Sequence, residues 1–290
     1  MHWRYYLKCA DGKIWSHVKV TMKKFPLKLI NQVLCNSISD SYDFDTEVCG
    51  VSIDSRTAKK GDLFFAISGE RFDGHEFVRK AAENGASAAI VQRDVDCPAD
   101  FPILKINDTV EALGKLAAWY RRQLSAQVVA ITGSAGKTST RNILYHVLSS
   151  KYRCQQAQKS FNNEIGVPLT LLSAEPDDEF LLVEIGSNHA GEIAPLSKMT
   201  LPDIAVITHI GPAHLEGFGT IEAIIEEKAS ITDGLKDGGA LIINGDIPDL
   251  VRYVNGKYSV ACTTVGTANE CDIRADEMLS QGNTGILVIE

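Results

Sequence analysis

The sequence predicts an α/β protein of two domains, and three features of the text carry that prediction. From Val51 onward, short β-rich runs alternate with amphipathic helical stretches, the rhythm of strands joined by helices. Beyond residue 127 the strand-like runs are apolar on consecutive residues, which suits a mostly parallel sheet covered by helices on both faces. Between these regions the polar segment RRQLSAQ, residues 121–127, ends a helical pattern just ahead of a strongly apolar strand. The expected organisation is an extension of unknown role at 1–24, a small N-terminal α/β domain at 25–126 and a central domain at 127–290.

Taken in order, the first domain is expected to hold strands at 63–67 and 88–91 and helices at 75–84 and 109–124. The second is expected to hold strands at 128–132, 180–185, 204–210 and 240–243, with helices at 137–150, 192–198 and 220–235. The last apolar run, 286–289, reads as a strand, so the chain is expected to continue beyond Glu290.

Composition narrows the function classes. With 290 residues and 44% hydrophobic content, the chain can bury a sizeable core. A formal net charge of -8 lacks the basic field that nucleic acid or an anionic membrane surface requires, so an anionic ligand needs a local device. No run approaches the roughly 18 apolar residues of a membrane span, and the first residues lack the apolar stretch of a secretion signal. Seven cysteines, an odd number with no CxxC pair, fit reduced thiols in a cytoplasmic protein better than a disulfide or zinc framework.

The strongest motif is ITGSAGKTST, residues 131–140, set between an apolar strand and a helix continuing as RNILYHVLSS. Gly133 and Gly136 allow backbone N–H groups to turn toward a phosphate chain, and the helix N-terminus adds partial positive charge. Lys137 then neutralises the outer phosphates while the Thr138 hydroxyl holds Mg²⁺. The position five places before Gly136 is Ile131, so the match is to a shorter form than the full Walker A pattern. The central domain is therefore expected to be of the P-loop ATPase type; the bland alternative is a glycine turn with a surface lysine.

Three further residues face the same expected edge. The apolar run FLLVE places Glu184 at the carboxyl end of a strand, where open α/β sheets bind ligands; it either meets the metal or forms a structural salt bridge. The next strand ends at Thr208-His209-Ile210 and leads into GPAHLEGFG, which puts His209 and His214 at the same edge, and a lone histidine there is as readily a packing residue as a ligand. In the helix TIEAIIEEKASITDGL, Lys228 falls on the stripe of Ile221, Ile224, Ile225, Ile231 and Leu235, whereas Glu222, Glu226 and Glu227 are assigned to the wet side. Either the lysine stem snorkels to a helix edge or the amine is neutral, paired or modified inside the protein.

Together with Asp54-Ser55-Arg56, GDLFFAISGERFDGHEF (61–77), NNEIGVPLTLL (162–172), VEIGSNHAGEI (183–193) and AHLEGFGTIEAIIEEK (213–228), these motifs make the chain resemble the Mur ligases over about residues 47–250. The NNEIGVPLTLL and VEIGSNHAGEI strings favour the members that add D-alanyl-D-alanine to UDP-N-acetylmuramoyl-tripeptide through an acyl phosphate. The resemblance implies that Gly133, Ser134, Ala135, Gly136, Lys137, Thr138 and Ser139 bind ATP, with Asn163 beside the phosphates and Asn244 near the adenine. It implies two Mg²⁺ sites drawn from Thr138, Glu184, His214 and a carbamylated Lys228, with Lys137, Glu184, His214 and Lys228 forming the catalytic set. It gives Ser55 and Arg56 to the UDP side, and it implies a cytoplasmic, monomeric enzyme.

Members of that family carry a third, closing domain. Nothing in this sequence corresponds to it, so the chain is expected to ligate poorly by itself. Two other readings stand beside this one: another Mur-type or folylpolyglutamate-type ligase, against which the N-terminal block argues, and a non-catalytic nucleotide-binding fragment.

Overall fold

The computed structural model describes residues 20–35, 46–69, 72–158, 161–212, 215–281 and 284–289. Among the described residues two compact units emerge, one falling within 1–125 and 158–177, the other within 126–157 and 178–290. The first therefore includes a segment that the sequence reading had left inside the central domain.

The first unit is built on β1 (Val20–Pro26), α1 (Leu27–Cys35), β2 (Glu47–Ser52), β3 (Asp62–Phe65), α2 (Val78–Glu83), β4 (Ala88–Val91), β5 (Ile103–Lys105) and α3 (Thr109–Arg121). Its five strands lie in chain order; β1 runs antiparallel to β2 and the others are parallel. Residues 20–24, which the sequence assigns to an extension, thus belong to β1, with Val20 and Thr21 paired to Val51 and Gly50. Their apolar-polar mixture hid the strand, because β1 is an edge strand with only part of its surface covered. Helix α3 starts where Asp108 accepts hydrogen bonds from Val110 N and Glu111 N, a side-chain N-cap. Phe64 of β3, Ala66 just after it, Val78 and Ala81 of α2, and Ala89 and Val91 of β4 belong to its core, and burial of each large apolar side chain contributes about 1.5–3 kcal/mol.

The second unit begins with β6 (Gln127–Thr132), α4 (Lys137–Ser149) and β7 (Cys154–Gln156). The chain then re-enters the first unit as α5 (Gly166–Leu172), every residue of which is buried. It returns as β8 (Phe180–Glu184), α6 (Ile193–Thr200), β9 (Ile204–Ile207), α7 (Leu215–Phe218), α8 (Ile221–Ala229), β10 (Ala240–Asn244), α9 (Pro248–Lys257), β11 (Ala261–Gly266), β12 (Ile273–Gln281) and β13 (Thr284–Ile289).

The eight strands of this unit are ordered β13-β12-β11-β10-β9-β6-β8-β7, parallel except for β12 against β13. Central strand β6 is buried on both faces at Val128, Val129, Ala130 and Ile131, as its unbroken apolar text requires. Leu144, Tyr145 and Leu148 of α4 pack against Val129, Ile131, Leu182 and Val206. The register sets Ile131 beside Glu184 and Thr132 beside Ile207, so the carboxyl ends of β6, β8 and β9 finish together. Among the described residues no helix is long and apolar enough to cross a membrane.

Candidate active site

The turn between β6 and α4 is bolted to the exit of β9. Ser134 N donates to the His209 carbonyl at 2.7 Å, Ser134 Oγ donates to the Gly211 carbonyl at 3.1 Å, and Thr208 Oγ1 donates to the Ala135 carbonyl at 2.6 Å. Gly133 has φ +144 and a Cβ there would stand 2.2 Å from Thr208 Oγ1, so only glycine fits. Gly136 begins α4 from the left-handed region at φ +85. This leaves the helix N-terminus open at Lys137, Thr138 and Ser139.

Lys137 folds back over the turn, donating to the Gly133 carbonyl at 2.7 Å. Burial lowers its pKa, and the Glu184 charge opposes that effect. Thr138 Oγ1 donates to Glu184 Oε2 at 2.9 Å, and Arg141 Nη1 approaches the same oxygen at 3.3 Å. Both Arg141 and Glu184 are buried. The sequence allows Glu184 to be a metal ligand or a salt-bridge partner; the structure pairs it with Arg141 and sets a hydroxyl beside it. A hydroxyl and a carboxylate converging at a helix N-terminus are the hard oxygen donors that Mg²⁺ takes together with phosphate oxygens, so these residues fit that ion.

Lys228 is buried, as its helical stripe indicated, and donates to Ser187 Oγ at 2.8 Å, with its ammonium 5.7 Å from the Phe218 ring centroid. Burial, followed by the charge of Lys137, pushes its pKa down to about 8. The Lys137 ammonium thus disfavours a second positive charge at Lys228. Glu227 was assigned to the wet side and is in fact buried. It accepts from the N–H groups of Gly191, Glu192 and Ile193, partners supplied by a distant loop that the helical period of α8 cannot reveal.

The remaining expected residues divide. Asn244 ends β10 and its Oδ1 accepts from Asp246 N at 2.9 Å. Asp246 in turn accepts from Thr267 N and Ala268 N, tying down the loop after β11. The His209 side chain is exposed, so its contribution to the turn is made by its backbone. His214 lies outside the described residues. Asn163 belongs to the first unit, where its Oδ1 accepts from Gly166 N at 2.9 Å and caps the start of α5.

Ser55 is buried and its carbonyl accepts from Asn84 Nδ2, while Arg56 is held bidentately by Asp54 at 2.8 and 2.6 Å. Arg141, Ser187 and Glu227 were missed by sequence reasoning. Arg141 had one available signal: it lies three residues after Thr138, on the same helical face.

A strand, a tight glycine turn and a helix carrying Lys-Thr, with a carboxylate on the neighbouring strand tip, define a P-loop nucleotide-binding domain. The chain belongs to the Mur ligase family: residues 131–288 match the Mur ligase middle domain and residues 47–121 match the Mur ligase family, catalytic domain. It is 37% identical over 265 residues to the UDP-N-acetylmuramoyl-tripeptide--D-alanyl-D-alanine ligase of Bacillus subtilis, an overlap of 91% of this chain and 57% of that protein.

Among solved structures it resembles MurF from Acinetobacter baumannii, with TM-score 0.83, 31% identity and coverage of 93% of this chain and 59% of that one. It also resembles the MurF ligase from Thermotoga maritima in complex with ADP, with TM-score 0.76, 34% identity and coverage of 83% and 55%. The chain spans about half the length of the curated relatives it matches.

Proposed function

We propose that this chain carries the nucleotide-handling and UDP-substrate-handling parts of an ATP-dependent ligase that joins D-alanyl-D-alanine to UDP-N-acetylmuramoyl-tripeptide, a step in making the peptidoglycan precursor of the cell wall. The observation that carries the reading is the convergence of Lys137, Thr138 and Glu184 at the tips of β6 and β8. The name of the Bacillus subtilis relative, a UDP-N-acetylmuramoyl-tripeptide--D-alanyl-D-alanine ligase, supports the choice of substrates, and the ADP complex of the Thermotoga maritima relative supports the nucleotide.

In this reading residues 133–139 cradle ATP, with Asn244 as a further nucleotide contact and Ser55 and Arg56 on the UDP side. Thr138 and Glu184 would hold Mg²⁺, which, when bound, neutralises charge on the phosphate oxygens. Lys137 releases the Gly133 carbonyl and turns its ammonium onto the γ-phosphate. The γ-phosphoryl group passes to the terminal carboxylate of the tripeptide, leaving ADP and an acyl phosphate. The amine of the dipeptide attacks that carbonyl carbon, and inorganic phosphate departs as the amide forms. Residues Lys137 and Arg141 supply fixed positive charge around the transfer, the usual source of rate in phosphoryl chemistry.

Lys228, with a pKa near 8, holds some free amine close to neutral pH. That amine could add CO₂ and lose a proton to give an N-carboxylate, which with His214 would hold a second Mg²⁺ and supply it with negative charge. The protein is assigned to the cytoplasm as a monomer, where UDP-linked precursors and ATP are available. The deciding experiment is ATP hydrolysis by the chain with and without UDP-N-acetylmuramoyl-tripeptide. Stimulation by the tripeptide supports the ligase. Nucleotide binding without stimulated turnover would leave a non-catalytic binding module.

A further inference from the structure

Glutamates 222, 226 and 227 share one helix, yet only the last is buried. A carboxylate removed from water needs full hydrogen-bond compensation, and Glu227 has it: Oε2 accepts from Gly191 N at 2.6 Å, and Oε1 accepts from Glu192 N at 3.1 Å and Ile193 N at 2.9 Å. These N–H groups close the loop that leaves β8 and begins α6. The other end of that loop holds Ser187, whose hydroxyl takes Lys228 at 2.8 Å. Consecutive residues of α8 therefore grip both ends of one loop, with exposed Asn188, His189 and Ala190 between the two grips.

We propose that Glu227 is a positioning residue for Lys228: by holding the N–H groups of residues 191–193 it anchors α8 to the β8–α6 loop and sets the Lys228 amine against Ser187. This rests on the reading of Lys228 as a working residue of the site. The grip depends on reach, because one carboxylate must span three successive N–H groups. Aspartate keeps the charge and falls one methylene short. Glutamine keeps the length and retains one accepting oxygen.

The 290-residue chain is compared with Glu227→Gln, Glu227→Asp and the exposed control Glu226→Gln. Two readouts are used: amide hydrogen exchange at 191–193, and the acylation rate of Lys228 at one fixed pH by mass spectrometry. Neither readout requires ligation, so failure of the ligase reading would not alter them. Glu227→Asp is expected to speed both by roughly tenfold or more, as loss of hydrogen bonds to a charged group implies; Glu227→Gln is expected to speed them less, and the control not at all.

Equal Lys228 acylation in all four proteins would overturn the proposal, as would better retention by aspartate than by glutamine, which would make charge alone the cause. If the aspartate protein does not fold, the wild type and glutamine protein decide. Amides 191–193 exchanging as fast as those of exposed His189 and Ala190 in the wild type would overturn it.

Discussion

Thr138 and Glu184, 46 positions apart, meet through a 2.9 Å hydrogen bond at the tips of β6 and β8. The carboxylate oxygen that accepts from Thr138 also faces Arg141, so the metal-ligand pair expected from sequence sits beside a guanidinium. Glu184→Gln keeps the shape and the Thr138 contact while removing the charge. Mg²⁺-dependent nucleotide affinity is expected to fall at least about tenfold, the smaller effect seen when a metal site loses a partner group. Titration calorimetry of ATP with Mg²⁺ and with a chelator measures this; equal affinities for both proteins would remove Glu184 from the metal site.

Arg141 and Glu184 form a buried ion pair. Removing one partner leaves the other charge uncompensated, which typically destabilises by about 3–5 kcal/mol. Arg141→Met is therefore expected to lower the urea midpoint strongly, and the double variant Arg141→Met with Glu184→Gln to recover part of the loss. If the two changes add without recovery, the pair is not coupled.

Lys137 donates to the Gly133 carbonyl and must leave it to meet a phosphate. Lys137→Ala removes a positive group from the transferring oxygens, a loss of about 2.7–4 kcal/mol by analogy with removing one transition-state donor. Tripeptide-stimulated ATP turnover is expected to fall by roughly 10²–10³ with the melting temperature little changed. Near-normal turnover would defeat the assignment.

Asp62 is buried, and among the described residues its Oδ1 has no hydrogen-bond partner, although Oδ2 accepts from Lys59 N. Burial raises its pKa, against the effect of Lys59. A raised folded pKa means the unfolded chain ionises first, so this group lowers stability as pH rises from below the ordinary aspartate value of about 3.9 toward neutrality. Asp62→Asn removes the buried charge while its amide oxygen still accepts from Lys59 N, so it is expected to raise the melting temperature at pH 7 by a few degrees, about 2–4 °C per kcal/mol. The advantage should shrink in acid; a variant that melts lower at pH 7 would contradict the argument.

Carbamate formation on Lys228 needs the free amine, and burial with the Lys137 charge brings its pKa down to about 8. At fixed CO₂ pressure, the carbamate signal in ¹³C NMR should therefore grow as pH rises through that value. Lys228→Met should abolish it. A wild-type spectrum without a carbamate signal above that pH removes the modification from the mechanism.

The local text carried much of this architecture. Consecutive apolar residues in VVAI and FLLV can only be covered from both sides, which announced the parallel strands β6 and β8. The glycines of ITGSAGKTST announced the turn, because Gly133 leaves no room for a Cβ. The inward direction of Lys228 followed from the stripe of isoleucines around it. By contrast, β1 gave a weak signal because an edge strand needs no regular pattern, and α5 read as part of the central domain although its packing belongs to the first unit.

By itself, then, the sequence determined the α/β class, the phosphate turn and the family, since each depends on residue types within a few positions of one another. Tertiary structure alone decided that Glu184 would face Arg141, that Ser187 would receive Lys228, and that Glu227 would be buried rather than wet. Those pairings join residues 34 to 43 positions apart. The partner that makes a buried charge tolerable comes from another element, and no period within one helix or strand encodes it.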